Sequence, residues 1–459
     1  MDARKKWFLA TLTIVLLAIG TSWWWLPQAV DMLPGQIRGR LPEGFVALVT
    51  TPLPTALPGP LRPADAAMLV SPTATLETLP PTSTLRPTVR ETPDATGQGA
   101  GAPTTTRAPA ATATRQPSPT PTSTLSPLPE EVRIEGLSVI AQKYNNCGPA
   151  NLTIVLDYYG LEVQQMEIGE ALKPNYDDRN VSPDELVRYV REETDHEALA
   201  LYGLDLKTLR SLLAAGFPVI IEKGLDLGAP HGWMGHYLTL YGYDANDSTF
   251  LGLDTFLGPW DSTGRPFEFT ALESLWAQFN RATVVVYSAD QAGTLAQAVG
   301  PDVLDEATMW LGAAQRAHEA LAVDPDDAFA WFDLGASLYH LGALGGDGTL
   351  FDQSAVAFDR AREIGLPWRT LWYQFEPYLA YIAAGRFDEV LALTEAVMTT
   401  SGGRNIEETY LFRGHALLAS GDPSGAERAY ERALRLNPGL DAAREALANL
   451  NASAAGSGG

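Results

Sequence analysis

Between residues 31 and 129 the chain places 19 prolines and 19 threonines in 99 positions, and no other feature restricts its fold as strongly. Each proline fixes its own φ and removes a backbone donor. Neither a helix nor a sheet ladder can therefore run through a stretch such as Pro117-Ser118-Pro119-Thr120-Pro121-Thr122. Pro/Thr repeats also bring little apolar surface to bury, so residues 31–131 are expected to be a disordered linker or stalk. As a flexible coil such a segment has an r.m.s. span of about 55–60 Å, and its threonines offer positions for O-glycosylation. Two apolar interruptions, Phe45–Val49 and Met68–Val70, carry no recognisable element. Folded structure is thereby assigned to the chain beyond Val132.

The N-terminus reads differently. Trp7 through Leu26 is a run of twenty uncharged residues. At ~1.5 Å per residue it is long enough to cross the ~30 Å hydrocarbon core of a bilayer. Arg4-Lys5-Lys6 precedes it, and Trp23-Trp24-Trp25 closes it in the manner of an interfacial aromatic belt. Residues 1–30 are therefore expected to form a signal anchor with the N-terminus inside and the folded domains extracytoplasmic. Ala18-Ile19-Gly20 leaves cleavage and secretion as the alternative. No cysteine follows the apolar run, which excludes a lipoprotein.

The formal net charge is −23, and residues 130–459 alone carry −26. An acidic chain of this kind lacks the basic patches that neutralise phosphates, so nucleic acid is excluded as a partner. There is one cysteine, Cys147, so neither an intrachain disulfide nor a multi-cysteine metal site is available. No His/Cys pair stands at metal-ligand spacing, and no Walker loop or dinucleotide fingerprint occurs. No cofactor and no metal are expected.

The single cysteine sits in Gln142-Lys143-Tyr144-Asn145-Asn146-Cys147-Gly148-Pro149-Ala150. Leu152, Val155, Leu156 and Tyr159 follow at helical spacing, and Gly160 ends the run. Cys147 thus opens a helix. The unpaired N–H groups there carry about half a positive charge, which favours thiolate over thiol and can receive an oxyanion. A nucleophilic thiol also needs a base and a group that orients it. His236 begins an alternating apolar strand that runs to Asp244, and Thr249–Asp254 forms a second strand. The turn residues Asp244-Ala245-Asn246-Asp247 between them predict a hairpin, with His236 and Asp254 side by side at one end of the sheet. His231 is a rival base in a loop, and His196 reads as a surface residue. Trp233, Tyr237 and Trp260 are candidates to line a cleft, although packing accounts for them equally well.

Gln-x4-Cys-Gly-Pro-Ala, the helix ending in Tyr-Tyr-Gly, and Gly-His-Tyr-x4-Gly-Tyr-Asp with the Leu-Asp that follows resemble the bacteriocin-processing-like family of papain-fold cysteine peptidases. The resemblance spans roughly residues 134–288. It implies that Cys147 is the nucleophile, that His236 is the base and that Asp254 orients the imidazole. By the same resemblance Gln142 supplies an oxyanion-hole amide. Gln142 stands five residues before the cysteine rather than six, and Thr255 follows Asp254 where the family commonly has proline. Ser182-Pro183-Asp184-Glu185 caps a further helix, Leu206–Leu213 is another, and Phe217–Glu222 and Val284–Tyr287 read as strands. Helices first and a mostly antiparallel sheet later is the α+β pattern of a papain-like domain over residues 132–289.

After a connector at 290–303, residues 304–451 resemble tetratricopeptide repeats. Trp331, Leu334, Gly335 and Leu338 fit a first helix of such a repeat, and so do Tyr410, Gly414 and Leu417. Ala313, Ala317, Ala320 and Pro325 match a second helix, as do Ala426, Tyr430, Ala433 and Pro438. Gly342, Gly385 and Gly421 stand as turn glycines near the 34-residue period, with an insertion expected at Gly345–Gly348. The middle unit is degenerate. The resemblance implies an all-α solenoid that binds a peptide or protein, with an α-solenoid packed passively on the first domain as the alternative. Residues 452–459 are expected to be a flexible tail.

The sequence therefore predicts a membrane-anchored extracytoplasmic cysteine peptidase that hydrolyses peptide or amide bonds. Its partners would be a peptide or protein substrate, a ligand of the repeats, and the membrane. The alternative is a non-catalytic adaptor in which a peptidase-like domain and the repeats bind partners.

Overall fold

The apolar runs between residues 197 and 287, most of them rich in β-branched and aromatic residues, assemble into one antiparallel sheet. The computed structural model describes residues 56–66, 69, 127–228 and 232–457. Its strands are β1 (Glu131–Arg133), β2 (Glu197–Leu201), β3 (Val219–Asp226), β4 (Trp233–Asp244), β5 (Thr249–Leu253), β6 (Arg265–Glu268) and β7 (Thr283–Tyr287). They lie in the order β2-β7-β3-β4-β5-β6, with β1 added beside β4. The expected hairpin is β4–β5, in which Asp244 faces Thr249 and Thr239 faces Leu253. β2 pairs with β7 along its whole length.

Three helices cover one face: α1 (Cys147–Tyr158), α2 (Gln165–Leu172) and α3 (Pro183–Glu193). Thr153-Ile154-Val155 in the middle of α1 are poor helix formers. Val155 and its neighbours Leu152 and Leu156 are fully buried in a core with Ile168, Leu186, Val190, Ile220 and Val286. Each such side chain contributes roughly 1.5–3 kcal/mol of burial, which outweighs propensity differences of a few tenths. α3 starts as expected, because Ser182 accepts from the Glu185 N–H while Glu185 accepts from the Ser182 N–H at 2.8 Å. Helices α4 (Leu206–Ala214) and α5 (Phe269–Ala277) complete this half. The expected connector at 290–303 is itself helical over α6 (Ala292–Val299) and a short 3-10 turn at Pro301–Leu304.

The C-terminal half is an array of helices: α7 (Glu306–Val323), α8 (Ala328–Gly345), α9 (Gly348–Ile364), α10 (Glu376–Ala383), α11 (Phe387–Met398), α12 (Glu407–Ala419), α13 (Pro423–Leu436) and α14 (Asp441–Ser457). α8/α9, α10/α11 and α12/α13 are the helix pairs. In the last pair a Cβ on Gly414 would overlap the Tyr430 ring, so the close approach of α12 to α13 requires glycine there. Two expectations need correcting. Gly342 lies inside α8, and the turn to α9 is made by Gly346 at φ 67°, so Gly345–Gly348 is the turn and not an insertion. The residues in excess of the repeat period are those between α9 and α10, numbers 365–375. The expected tail is also helical as far as Ser457, where α14 ends.

The two halves belong to one compact unit. Tyr202 stacks on Trp310 at 4.7 Å, Asn280 Nδ2 donates to Ser337 Oγ at 3.3 Å, and Asn437 Nδ2 donates to the Leu172 carbonyl at 3.0 Å.

The expected linker over 31–131 is also corrected in two places. At its C-terminal end β1 begins at Glu131, and the Glu130 carbonyl accepts from the Ala245 N–H at 2.7 Å. Residues 56–66 lie along α9–α11, with Ala56 bridged to Pro367 and Leu57 buried. Proline blocks a ladder, but it does not block an extended strap whose remaining polar groups are met by side chains of a neighbouring surface. Trp7–Leu26, Phe45–Val49 and His231 lie outside the described residues. Among the described residues no helix is long and apolar enough to cross a membrane.

Candidate active site

Cys147 is the first residue of α1 and is half-buried. Asn146 precedes it without capping the helix, because its Nδ2 donates instead to the Gln165 carbonyl at 3.0 Å. The helix N-terminus is thus left to the sulfur. Burial pushes the Cys147 thiol up, but a hydrogen bond and charge from His236, with backbone N–H groups of Tyr237 and Gly148, outweigh it and hold the thiol below its ordinary value.

His236 is buried in β4, and its Nε2 lies 3.0 Å from Asp254 Oδ1. That leaves Nδ1 as the ring nitrogen for the thiol. Burial pushes the imidazole down, yet its hydrogen bonds to Asp254 and Cys147 prevail and raise its pKa. Asp254 follows the last residue of β5. Its Oδ1 also accepts from the Phe256 and Leu257 N–H groups, at 2.9 and 2.8 Å. Burial pushes this carboxyl up, but His236 and those two N–H groups hold it at about 2. Oδ2 is buried with no hydrogen bond among the described residues. Lys223 is buried opposite His236 in the β3–β4 register; burial pushes its amine down, and the Asp254 charge acts against that. The hairpin therefore brings the imidazole and the carboxylate together beside the thiol.

Gln142 is fixed on the far side of this chain by Thr255. The Gln142 N–H donates to the Thr255 carbonyl at 2.9 Å, and Thr255 Oγ1 donates to Gln142 Oε1 at 2.9 Å. With Oε1 occupied as an acceptor, the amide nitrogen is what Gln142 has left to offer. The threonine that departs from the family's proline thus sets the orientation of the glutamine. Asn151, fully buried in α1, ties these elements together. Its Nδ2 donates to the carbonyls of Cys147 and Tyr237, at 2.9 and 3.1 Å, and its Oδ1 accepts from Thr239 Oγ1 at 2.7 Å.

Sequence reasoning did not reach several neighbours. Glu222 lines the Cys147 cavity, buried in β3, and accepts from the Tyr237 hydroxyl at 3.1 Å. Burial, with the nearby Cys147 charge, raises its pKa well above the ordinary value, against the Tyr237 hydrogen bond. A charged pair, Glu222-Lys223, inside an otherwise apolar strand was the available signal. Tyr373 reaches the same cavity from the residues between α9 and α10. Of the aromatic candidates, Tyr237 lines this cavity, Trp233 packs against Phe279 and Phe329, and Trp260 is exposed. Phe256 and Leu257 are also exposed on the loop after Asp254, beside the site. His196 is half-buried at the surface. Its side chain is only 12% exposed and packs on Tyr159 at 5.0 Å. No cluster of potential metal ligands occurs among the described residues.

Residues 134–284 match the sequence model of the Peptidase_C39 like family, and residues 407–450 match that of the tetratricopeptide repeat. The chain carries a mixed α/β C39-like peptidase domain followed by a helical region with a tetratricopeptide-repeat match. Among solved structures it is similar to a candidate C39-like peptidase from Bacillus anthracis, at 17% identity and a TM-score of 0.28. That match covers 35% of this chain and 98% of the other. No curated protein matches the chain.

Proposed function

We propose that the chain is a cysteine peptidase that hydrolyses peptide or amide bonds, held outside the cell membrane by an anchor at Trp7–Leu26. The reading rests on one observation, the continuous series from the Cys147 thiol through His236 to Asp254 at a helix N-terminus. Cys147 thiolate attacks the substrate carbonyl, and the oxyanion that forms is met by the Cys147 backbone N–H and the Gln142 amide. His236 then gives its proton to the leaving amine, which departs and leaves a thioester on the sulfur. Water, losing a proton to His236, attacks the thioester, releases the acid and restores the thiolate–imidazolium pair. Asp254 holds the ring in the tautomer that presents Nδ1 to sulfur and stabilises its positive charge. Phe256, Leu257 and Trp260 form an apolar rim on which an extended substrate can lie.

The anchor and the extracytoplasmic location are carried by the basic-apolar-aromatic order of residues 4–26. The repeats are assigned to protein binding.

The test is hydrolysis of a peptide library by the purified chain, compared with Cys147→Ala. Wild-type cleavage and silence in the variant, with the same thermal unfolding, support the reading. Equal cleavage by both, or none by either despite a reactive thiol, overturns it and leaves an adaptor.

A further inference from the structure

The proline-rich residues 56–66 meet a surface built to hold them. Arg362 in α9 donates from Nε to the Pro58 carbonyl at 3.0 Å and from Nη2 to the Gly59 carbonyl at 2.8 Å. Its Nη1 donates to Glu389 Oε2 at 2.8 Å and to the Tyr381 hydroxyl at 2.9 Å. The Arg362 and Glu389 side chains are 1% and 0% exposed, so this is an interior ion pair and not a surface one. Glu389 Oε1 accepts the Leu61 N–H at 2.8 Å, and Glu363 Oε1 accepts the Ala64 N–H at 2.8 Å. Arg62 pairs with Asp388 at 3.3 Å.

Pro58, Pro60 and Pro63 alternate with these contacts and have no N–H that a partner must satisfy. Recognition is of backbone carbonyls and amides in an extended conformation, with Leu57 as the buried apolar contact. Were the strap absent, the two Arg362 donors that face it would lose their partners, at a desolvation penalty of roughly 1–3 kcal/mol each where they stay dry, while Glu389 Oε1 would keep only Arg386 at 3.0 Å.

The strap also touches the residues that reach the Cys147 cavity. Leu57 N–H donates to the Leu366 carbonyl at 2.9 Å, and Ala56 bridges to Pro367. The same segment, 365–375, continues to Arg369, which donates to the Trp233 carbonyl at 3.4 Å, and to Gln374, which donates to the Gln278 carbonyl at 3.1 Å. Between those two stands Tyr373, a wall of the cavity.

We propose that residues 56–66 are a built-in proline-rich peptide ligand of the face formed by α9, α10 and α11, and that this strap holds the 365–375 segment against the Cys147 cavity. The repeat face then has an occupant of defined chemistry, an extended Pro-Gly-Pro-Leu-Arg-Pro backbone, bound in cis at high effective concentration. The strap also shortens the tether. From Leu26 the first docked residue is thirty positions away, a reach of at most ~110 Å, against more than a hundred positions for the whole Pro/Thr tract. The docking holds whether or not Cys147 hydrolyses amides.

Hydrogen–deuterium exchange on the intact wild-type chain tests the first part without a variant. The amides of Leu57, Leu61 and Ala64 are expected to exchange at least about tenfold more slowly than unstructured amides of the same sequence. Free exchange at all three overturns the docking. Leu57→Asp in the full chain tests the second part. It removes the buried contact from a strap that lies outside both cores, and exchange at 366–374 and iodoacetamide labelling of Cys147 should each accelerate several-fold. Release of the strap with neither readout changed overturns the link to the cavity and leaves the docking standing.

Discussion

Replacing Asp254 by Asn isolates the charge of the carboxylate, because Asn Oδ1 can still accept from the Phe256 and Leu257 N–H groups that hold the loop. Asp254 stands at about 2 although burial pushes it up. Set against an ordinary Asp near 3.9, that is about 2.5 kcal/mol in favour of the charged form. His236 is the largest favourable contributor, followed by the two backbone N–H groups. Much of that effect belongs to the imidazolium. The pairing is mutual, so Asp254→Asn lowers the His236 pKa. The thiolate then loses its positive partner over the same range, and the Cys147 pKa climbs. Iodoacetamide reacts with the thiolate, and Cys147 is the only thiol in the chain, so whole-protein mass spectrometry reads this site alone. Labelling at pH 6 should fall about tenfold in Asp254→Asn and converge with wild type near pH 10, where the thiol is ionised in both. Two labelling profiles that overlay across that range would refute the argument that the hairpin tunes the thiol through the ring.

Gln142→Ala should lower kcat of the proposed hydrolysis by about 10²–10³-fold while leaving the pH profile of Cys147 labelling in place, since Gln142 is assigned to the oxyanion and not to the thiol. Turnover within a few-fold of wild type would remove that assignment. Asn151→Ala leaves the Tyr237 carbonyl and the Thr239 hydroxyl buried without their partner, and denaturant unfolding should register a loss of about 2–4 kcal/mol. Glu407, buried between the halves, has its pKa raised to about 7, by burial first and then by Glu185, against the Asn437 hydrogen bond. A carboxyl raised on folding binds its proton more tightly in the native state. Its stabilisation is complete below about pH 4.5 and is lost as pH rises through 7. Glu407→Gln should therefore raise Tm at pH 8 and flatten the fall in Tm between pH 5 and 8; an unchanged Tm slope would show that this carboxyl is not strained.

The parts of the site that were legible in the sequence are those whose geometry is local. Cys147 opens a helix because apolar residues follow it at helical spacing, and His236 meets Asp254 because a short turn joins two alternating strands. Strand β2 was not legible. Glu197-Ala198-Leu199-Ala200-Leu201 is built of good helix formers, and it is a strand because Thr283–Tyr287 offers an unpaired edge. Asn151 looked like an ordinary helix position, although a fully buried amide on an apolar face is itself a sign of a polar hub. Residues 56–66 were assigned to disorder because composition reports whether a segment can build its own core, and says nothing of whether another domain's buried charges will hold it.

The repeat period carried more information than the positions first drawn from it. Turn glycines spaced too widely show that residues have been added, but a period has no means of saying on which side of a helix they fall. The structure puts them between α9 and α10, where they leave the solenoid and return with Arg369, Tyr373 and Gln374 on the first domain. The opposite surface is shaped for them. A Cβ on Gly235, next to His236, would come within 3.1 Å of the Tyr373 ring and 2.8 Å of Phe279. A side chain at 235 would thus force Phe279 to shift and crowd Tyr373, and loss of the repeats would leave the Cys147 cavity without one of its walls. The helical array is therefore part of the architecture around Cys147. On the proposed function, an extended substrate would approach Cys147 past this wall.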